Sequence, residues 1–112
     1  MPLLEDHGFH PDFSALAQVL RKGDLVFLGR PNNPTGVSFD AEMLLDLVRA
    51  RSETYFAVDE SFFEFIDANS ALLCRNMPAN LIVFRSLTKI YAIPGLRLGF
   101  AVAASETAEL IR

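Results

Sequence analysis

The sequence predicts an α/β fold, and three observations carry that prediction. Short, consecutively apolar runs rich in branched and aromatic residues alternate with stretches of helical periodicity. No internal repeat or low-complexity tract breaks the alternation. At 112 residues and 51% hydrophobic composition, the chain can bury the core of one small domain.

Asp12 is placed to cap a helix over about 13–22, in which Phe13, Leu16, Ala17 and Leu20 share a face. Gly23 and Asp24 end it. LVFLG at 25–29 is apolar at consecutive positions instead of alternate ones, the pattern of a buried strand. The turn RPNNPTG follows. A second helix is expected over about 40–51, with Ala41, Leu44, Leu45 and Val48 on one face. Arg49 and Arg51 lie near its C-terminal end, where cations suit the helix dipole. TYFAVD at 54–59 reads as the next strand and stops abruptly in acid at Asp59 and Glu60. A less regular stretch to about residue 79 leads to NLIVFRS at 80–86, a third buried strand. Only about ten residues, Pro94 among them, separate it from GLRLGFAVA at 95–103. That is the lower limit for a parallel crossover, so an antiparallel last strand stays open. SETAELIR closes the chain as a helix that Ser105 is placed to cap.

The net charge of −4 offers no basic stripe to neutralise phosphates, which argues against nucleic acid as a partner. Small molecules or protein surfaces are the expected partners. Cys74 is the single cysteine and cannot form an internal disulfide; its expected role is that of a small apolar residue in a reducing compartment. No segment approaches the roughly 18 continuous apolar residues of a membrane helix. MPLLEDHGFH also lacks a basic region followed by an apolar one. A soluble, cytoplasmic protein without membrane contact is expected.

The polar residues matter most by position. Asn33, Asp59 and Ser86 each fall at or just beyond the C-terminal end of an expected parallel strand, and Lys89 follows three residues after Ser86. In open α/β sheets that rim is where ligands bind. Singly, each has an ordinary explanation. A lysine is usually a solvated charge, an aspartate after a strand a turn former, NNPTG a turn, and Arg97 a surface ion-pair partner. Their order on neighbouring strand ends, in so apolar a chain, weakens those readings.

The stretches NNPTG (32–36), VDESFFEF (58–65) and SLTKIYAIPGLRLGF (86–100), with GFHPDFSALAQVL ahead of the first strand, resemble the fold-type-I pyridoxal-phosphate enzymes of the aminotransferase class I/II group. The resemblance implies that residues 1–112 are the central part of the large cofactor domain. That domain is a three-layer αβα arrangement around a mostly parallel sheet, in an enzyme whose complete form is a homodimer. It implies pyridoxal 5'-phosphate as cofactor and assigns roles to five positions. Lys89 matches the amine that captures the cofactor aldehyde and then moves protons. Asp59 matches the carboxylate that keeps the pyridine nitrogen protonated, and Asn33 the amide that donates to the ring 3-oxygen. Ser86 and Arg97 match phosphate ligands, a hydroxyl donor and a guanidinium fork.

One position departs from the aminotransferase pattern: Phe62 stands where most members carry a tyrosine that donates to the ring 3-oxygen. VDESFFEF with RSLTKIYAIPGLRLGF looks most like the threonine-phosphate decarboxylase branch of cobalamin biosynthesis. This implies a phosphorylated, amino-acid-like substrate and loss of carbon dioxide from L-threonine O-3-phosphate to give aminopropanol phosphate. Histidinol-phosphate aminotransferase, which shares PNNPTG, is the nearest alternative; a non-catalytic fragment is another. The family's glycine-rich phosphate loop, ring-stacking residue and carboxylate-binding arginine are absent from these 112 residues.

Overall fold

A computed structural model describes residues 2–67 and 69–111. The elements are α1 (Phe13–Val19), β1 (Leu25–Gly29), α2 (Ala41–Ala50), β2 (Tyr55–Asp59), β3 (Leu81–Ser86), α3 (Leu87–Ile90), β4 (Gly99–Ala103) and α4 (Ser105–Leu110); all but the short α3 were expected, and β4 starts at Gly99 instead of residue 95 because Pro94–Leu96 form a 3-10 turn. The strands form one sheet in sequence order. β1 runs parallel to β2 and β2 parallel to β3, while β4 is antiparallel to β3, which settles the orientation left open by the short connection.

Local chemistry explains where the helices begin and end. Asp12 caps α1 as expected, its carboxylate accepting the Ala15 N–H at 2.9 Å. The helix stops at Val19, three residues before the expected limit. Asp24 Oδ2 accepts the Arg21 N–H at 2.7 Å, and Gly23, at φ 84°, turns its own N–H to the Glu53 carbonyl at 2.8 Å. These bonds draw the backbone into a turn. Asp40 caps α2 by accepting the Glu42 N–H at 2.8 Å. At its far end the buried Asn80 shares its amide hydrogens among the carbonyls of Val48, Arg51 and Thr54, at 2.9–3.0 Å. Ser105 does not cap α4. Ala104 already has the extended backbone that a cap requires (ψ 149°), so Ser105 becomes the first helical residue. Arg112, the last residue of the expected helix, lies outside the described residues.

The core lies on one face of the sheet. Leu44, Leu45 and Val48 of α2, with Phe13 and Leu16 of α1, pack on Phe56, Val58, Leu81 and Val83. The opposite face is open, which corrects the expectation of a fully buried first strand. Leu25 and Phe27 are 65% and 64% exposed, and Tyr55 and Phe84 also face outward. The sheet and the helical layer on one of its faces are therefore what this chain supplies. Among the described residues, no helix is long and apolar enough to cross a membrane.

β3 and β4 approach closely at Gly99. A Cβ built there would lie 2.8 Å from the Arg85 carbonyl oxygen, a backbone atom with little room to move. Gly99→Ala is expected to destabilise the protein by about 1–3 kcal/mol, the usual consequence of overpacking. It should also disturb Ser86, the register partner of Gly99. A chemical-denaturation midpoint equal to that of wild type would refute the close approach.

Candidate functional site

The C-terminal ends of β1, β2 and β3 form a common rim. After β1, Asn32 ties the turn together: its side chain donates to Thr35 Oγ1 at 2.9 Å, its N–H to the Val37 carbonyl, and its carbonyl accepts from Gly36 N–H at 2.7 Å. Gly36 takes φ 71°, where a side chain would be strained. This closed turn leaves Asn33 exposed beside the end of β2. Asn33 and Asp59 line one cavity of about 300 Å³, with Phe27, Gly29, Asn32 and Phe62 among its other walls. Asp59 is half-buried, and its Oδ1 accepts the Ser61 N–H at 2.8 Å, which fixes the rotation of the carboxylate.

Phe62 links this cavity to the third strand end. The Lys89 Nζ stands 4.8 Å from the centroid of the Phe62 ring, within cation–π range. Lys89 is carried on α3, which begins directly after β3. Ser86, the last residue of β3, places its hydroxyl 2.8 Å from that of Thr88. Among the described residues, Arg97 makes no hydrogen bond or ion pair with the other four positions. It is exposed, in a left-handed conformation (φ 48°), two residues before the Gly99 that pairs with Ser86. The structure thus brings Asn33 and Asp59 together, joins Lys89 to them through Phe62, sets Ser86 on the adjoining strand end, and leaves Arg97 beside the rim. A larger cavity of about 530 Å³ lies at the other end of the strands, near Tyr55, Asn80 and Thr107, away from these groups.

Sequence reading missed a row of buried charge beneath the rim. Glu60 is fully buried; its Oε1 accepts from Arg30 Nη1 at 2.8 Å and from the Ser70 hydroxyl at 2.6 Å, and its Oε2 from Arg85 Nη1 at 3.0 Å. Arg85 also donates to Glu64, through Nε at 3.2 Å and through Nη2. Arg30 Nε donates to the Phe39 carbonyl at 3.0 Å, and its guanidinium lies 4.4 Å from the Phe63 ring centroid. The signal was present in the sequence. Arg30, Glu60 and Arg85 are charges at the ends of three otherwise apolar strand runs, and strand alternation turns them to the core face.

The three parallel strands of this open, mixed sheet gather a lysine, an aspartate and an asparagine at their C-terminal ends, the edge where α/β sheets bind ligands. The family profile "Aminotransferase class I and II" matches residues 1–112, and the chain belongs to that family. It is 42% identical over 106 residues to the adenosylcobalamin biosynthesis bifunctional protein CobDQ of Leptospira interrogans serogroup Icterohaemorrhagiae serovar Lai, covering 91% of this chain and 12% of that protein. It is 38% identical over 108 residues to histidinol-phosphate aminotransferase of Anaeromyxobacter sp., covering 92% of this chain and 30% of that one. The solved L-threonine-O-3-phosphate decarboxylase of Porphyromonas gingivalis superposes with a TM-score of 0.67 at 30% identity, over 77% of this chain and 27% of that one. The chain therefore spans under a third of the length of each of these proteins.

Proposed function

We propose that this chain is the central, cofactor-holding part of a longer pyridoxal-phosphate-dependent enzyme that decarboxylates L-threonine O-3-phosphate to aminopropanol phosphate in cobalamin biosynthesis, acting as a homodimer. The observation that carries the reading is Phe62, set between the Asp59 cavity and the Lys89 amine at the position where aminotransferases of the family usually carry tyrosine. The likeness to CobDQ and to a threonine-phosphate decarboxylase structure supports it.

The residues present suit the cofactor chemically. Asp59 supplies a carboxylate for a cationic ring nitrogen, Asn33 an amide donor for a ring oxygen, and Phe27 and Phe62 apolar walls. Ser86 supplies a hydroxyl to a phosphate, and Arg97 a guanidinium that suits phosphate oxygens in paired contacts. When bound, pyridoxal phosphate supplies an electron sink for the pair left by the broken bond. Lys89 would hold the cofactor through Nζ and would carry a proton there during turnover.

The full-length parent is expected to release carbon dioxide from L-threonine O-3-phosphate and to transfer little amino group from histidinol phosphate. The 112 residues alone are expected to bind cofactor weakly and turn over neither substrate. A second reading, histidinol-phosphate aminotransferase, draws on the comparable identity to that enzyme. Rapid transamination of histidinol phosphate by the parent, without carbon dioxide release from threonine phosphate, would replace the first reading by the second.

A further inference from the structure

The charged row lies one step along the chain from the residues of the rim. Arg30 follows Gly29, the register partner of Asp59; Glu60 follows Asp59; Arg85 precedes Ser86. Backbone bonds continue the sheet pairing to this level, from Arg30 N–H to the Asp59 carbonyl and from Glu60 N–H to the Phe84 carbonyl, both at 2.9 Å. Three strand ends are therefore tied twice, by backbone on the sheet and by side chains below it. Because strand side chains alternate between faces, Asp59 and Ser86 point to the open face while Glu60 and Arg85 point to the core.

We infer that Arg30, Glu60 and Arg85 are positioning residues, a charged clamp that holds the ends of β1, β2 and β3 in register so that Asp59 and Ser86 keep the spacing a bound cofactor needs. The reading rests on the proposed cofactor function. Geometry favours it over simple core filling. Both oxygens of a fully buried carboxylate are used, each on a different strand end, and Ser70 braces one of them. An apolar core residue would fill the same space without fixing direction. A hydrogen-bonded ion pair fixes distance and angle on both partners.

The experiment uses the full-length parent with Glu60→Gln, which keeps the side chain's shape and removes its charge. Arg30→Lys serves as the milder variant should the first fail to fold, and Leu45→Ala is a destabilised control in the core. Two quantities are measured: amide hydrogen exchange of the cofactor-free protein, and the dissociation constant for pyridoxal phosphate by equilibrium dialysis. In the clamp variant, exchange is expected to quicken at residues 29–33, 59–61 and 86–89, with little change at the other ends of the same strands. Cofactor affinity should weaken by about tenfold to a hundredfold, the range that small misplacements of binding groups produce. Exchange that quickens evenly along the strands, or an affinity loss no greater than that of Leu45→Ala, would overturn the clamp. If the wild-type parent fails to bind pyridoxal phosphate, the proposed function falls, and the exchange pattern alone then decides whether the row holds the strand ends.

Discussion

Lys89→Ala in the full-length parent is expected to lower kcat by about a thousandfold or more while leaving the denaturation midpoint unchanged. The size follows from the loss of both the covalent anchor and the proton carrier, since a positioned proton donor or acceptor alone contributes about a hundredfold to ten-thousandfold. The stability should hold because Lys89 is exposed and its side chain, among the described residues, makes one specific contact, with the face of Phe62. The chain has one other lysine, Lys22, which is exposed and paired with Glu53 beyond the opposite end of the strands. Borohydride reduction in the presence of pyridoxal phosphate should therefore fix the cofactor to the peptide carrying Lys89 and leave that carrying Lys22 unlabelled. Lys89→Arg should be as inactive as the alanine variant, because a guanidinium keeps the charge but cannot capture an aldehyde. Label on Lys22, or a variant keeping a tenth of the activity, would remove Lys89 from the site.

The fold was legible where sequence encodes local chemistry and less so where burial depends on partners. Asp12 announced the start of α1, and the order of the strands followed from their apolar runs. The end of α1 was not legible, because the Asp24 side chain and Gly23 act together with Glu53, a residue distant in sequence. LVFLG is apolar on both faces, yet only Val26 and Leu28 pack against the helical layer that this chain carries; Leu25 and Phe27 stay exposed. A sequence run is suited to a given burial, and the fold of this chain provides only part of it. At the rim, the positions of Asn33, Asp59 and Lys89 were legible because strand ends are. The charged row was legible only in part: the charges at three strand ends stand in the sequence, but their pairing shows only once the register brings Arg30, Glu60 and Arg85 abreast.

That row gives the largest expected effect on stability. Glu60→Ala should destabilise the protein by about 3–5 kcal/mol, because it leaves the guanidinium groups of Arg30 and Arg85 buried with their shared carboxylate gone. Arg85 keeps Glu64 and Arg30 keeps the Phe39 carbonyl, so neither is stripped completely. Added salt should recover little of the loss, since screening acts weakly on buried charge. The same physics predicts the opposite for joint replacement. Two acids and two bases balance, and converting Arg30→Met, Glu60→Leu, Arg85→Met and Glu64→Gln together removes the charges along with the need to desolvate them. That combined variant is expected to regain most of the lost stability. It would lack the directional bonds from Glu60 to two strand ends, so its cofactor affinity should remain weak despite a near-native denaturation midpoint. A loss below about 1 kcal/mol for Glu60→Ala would mean that the carboxylate is not buried as described, since a lone buried charge cannot be exposed so cheaply. Recovery of both stability and affinity in the combined variant would show that packing, without charge, suffices to hold the rim.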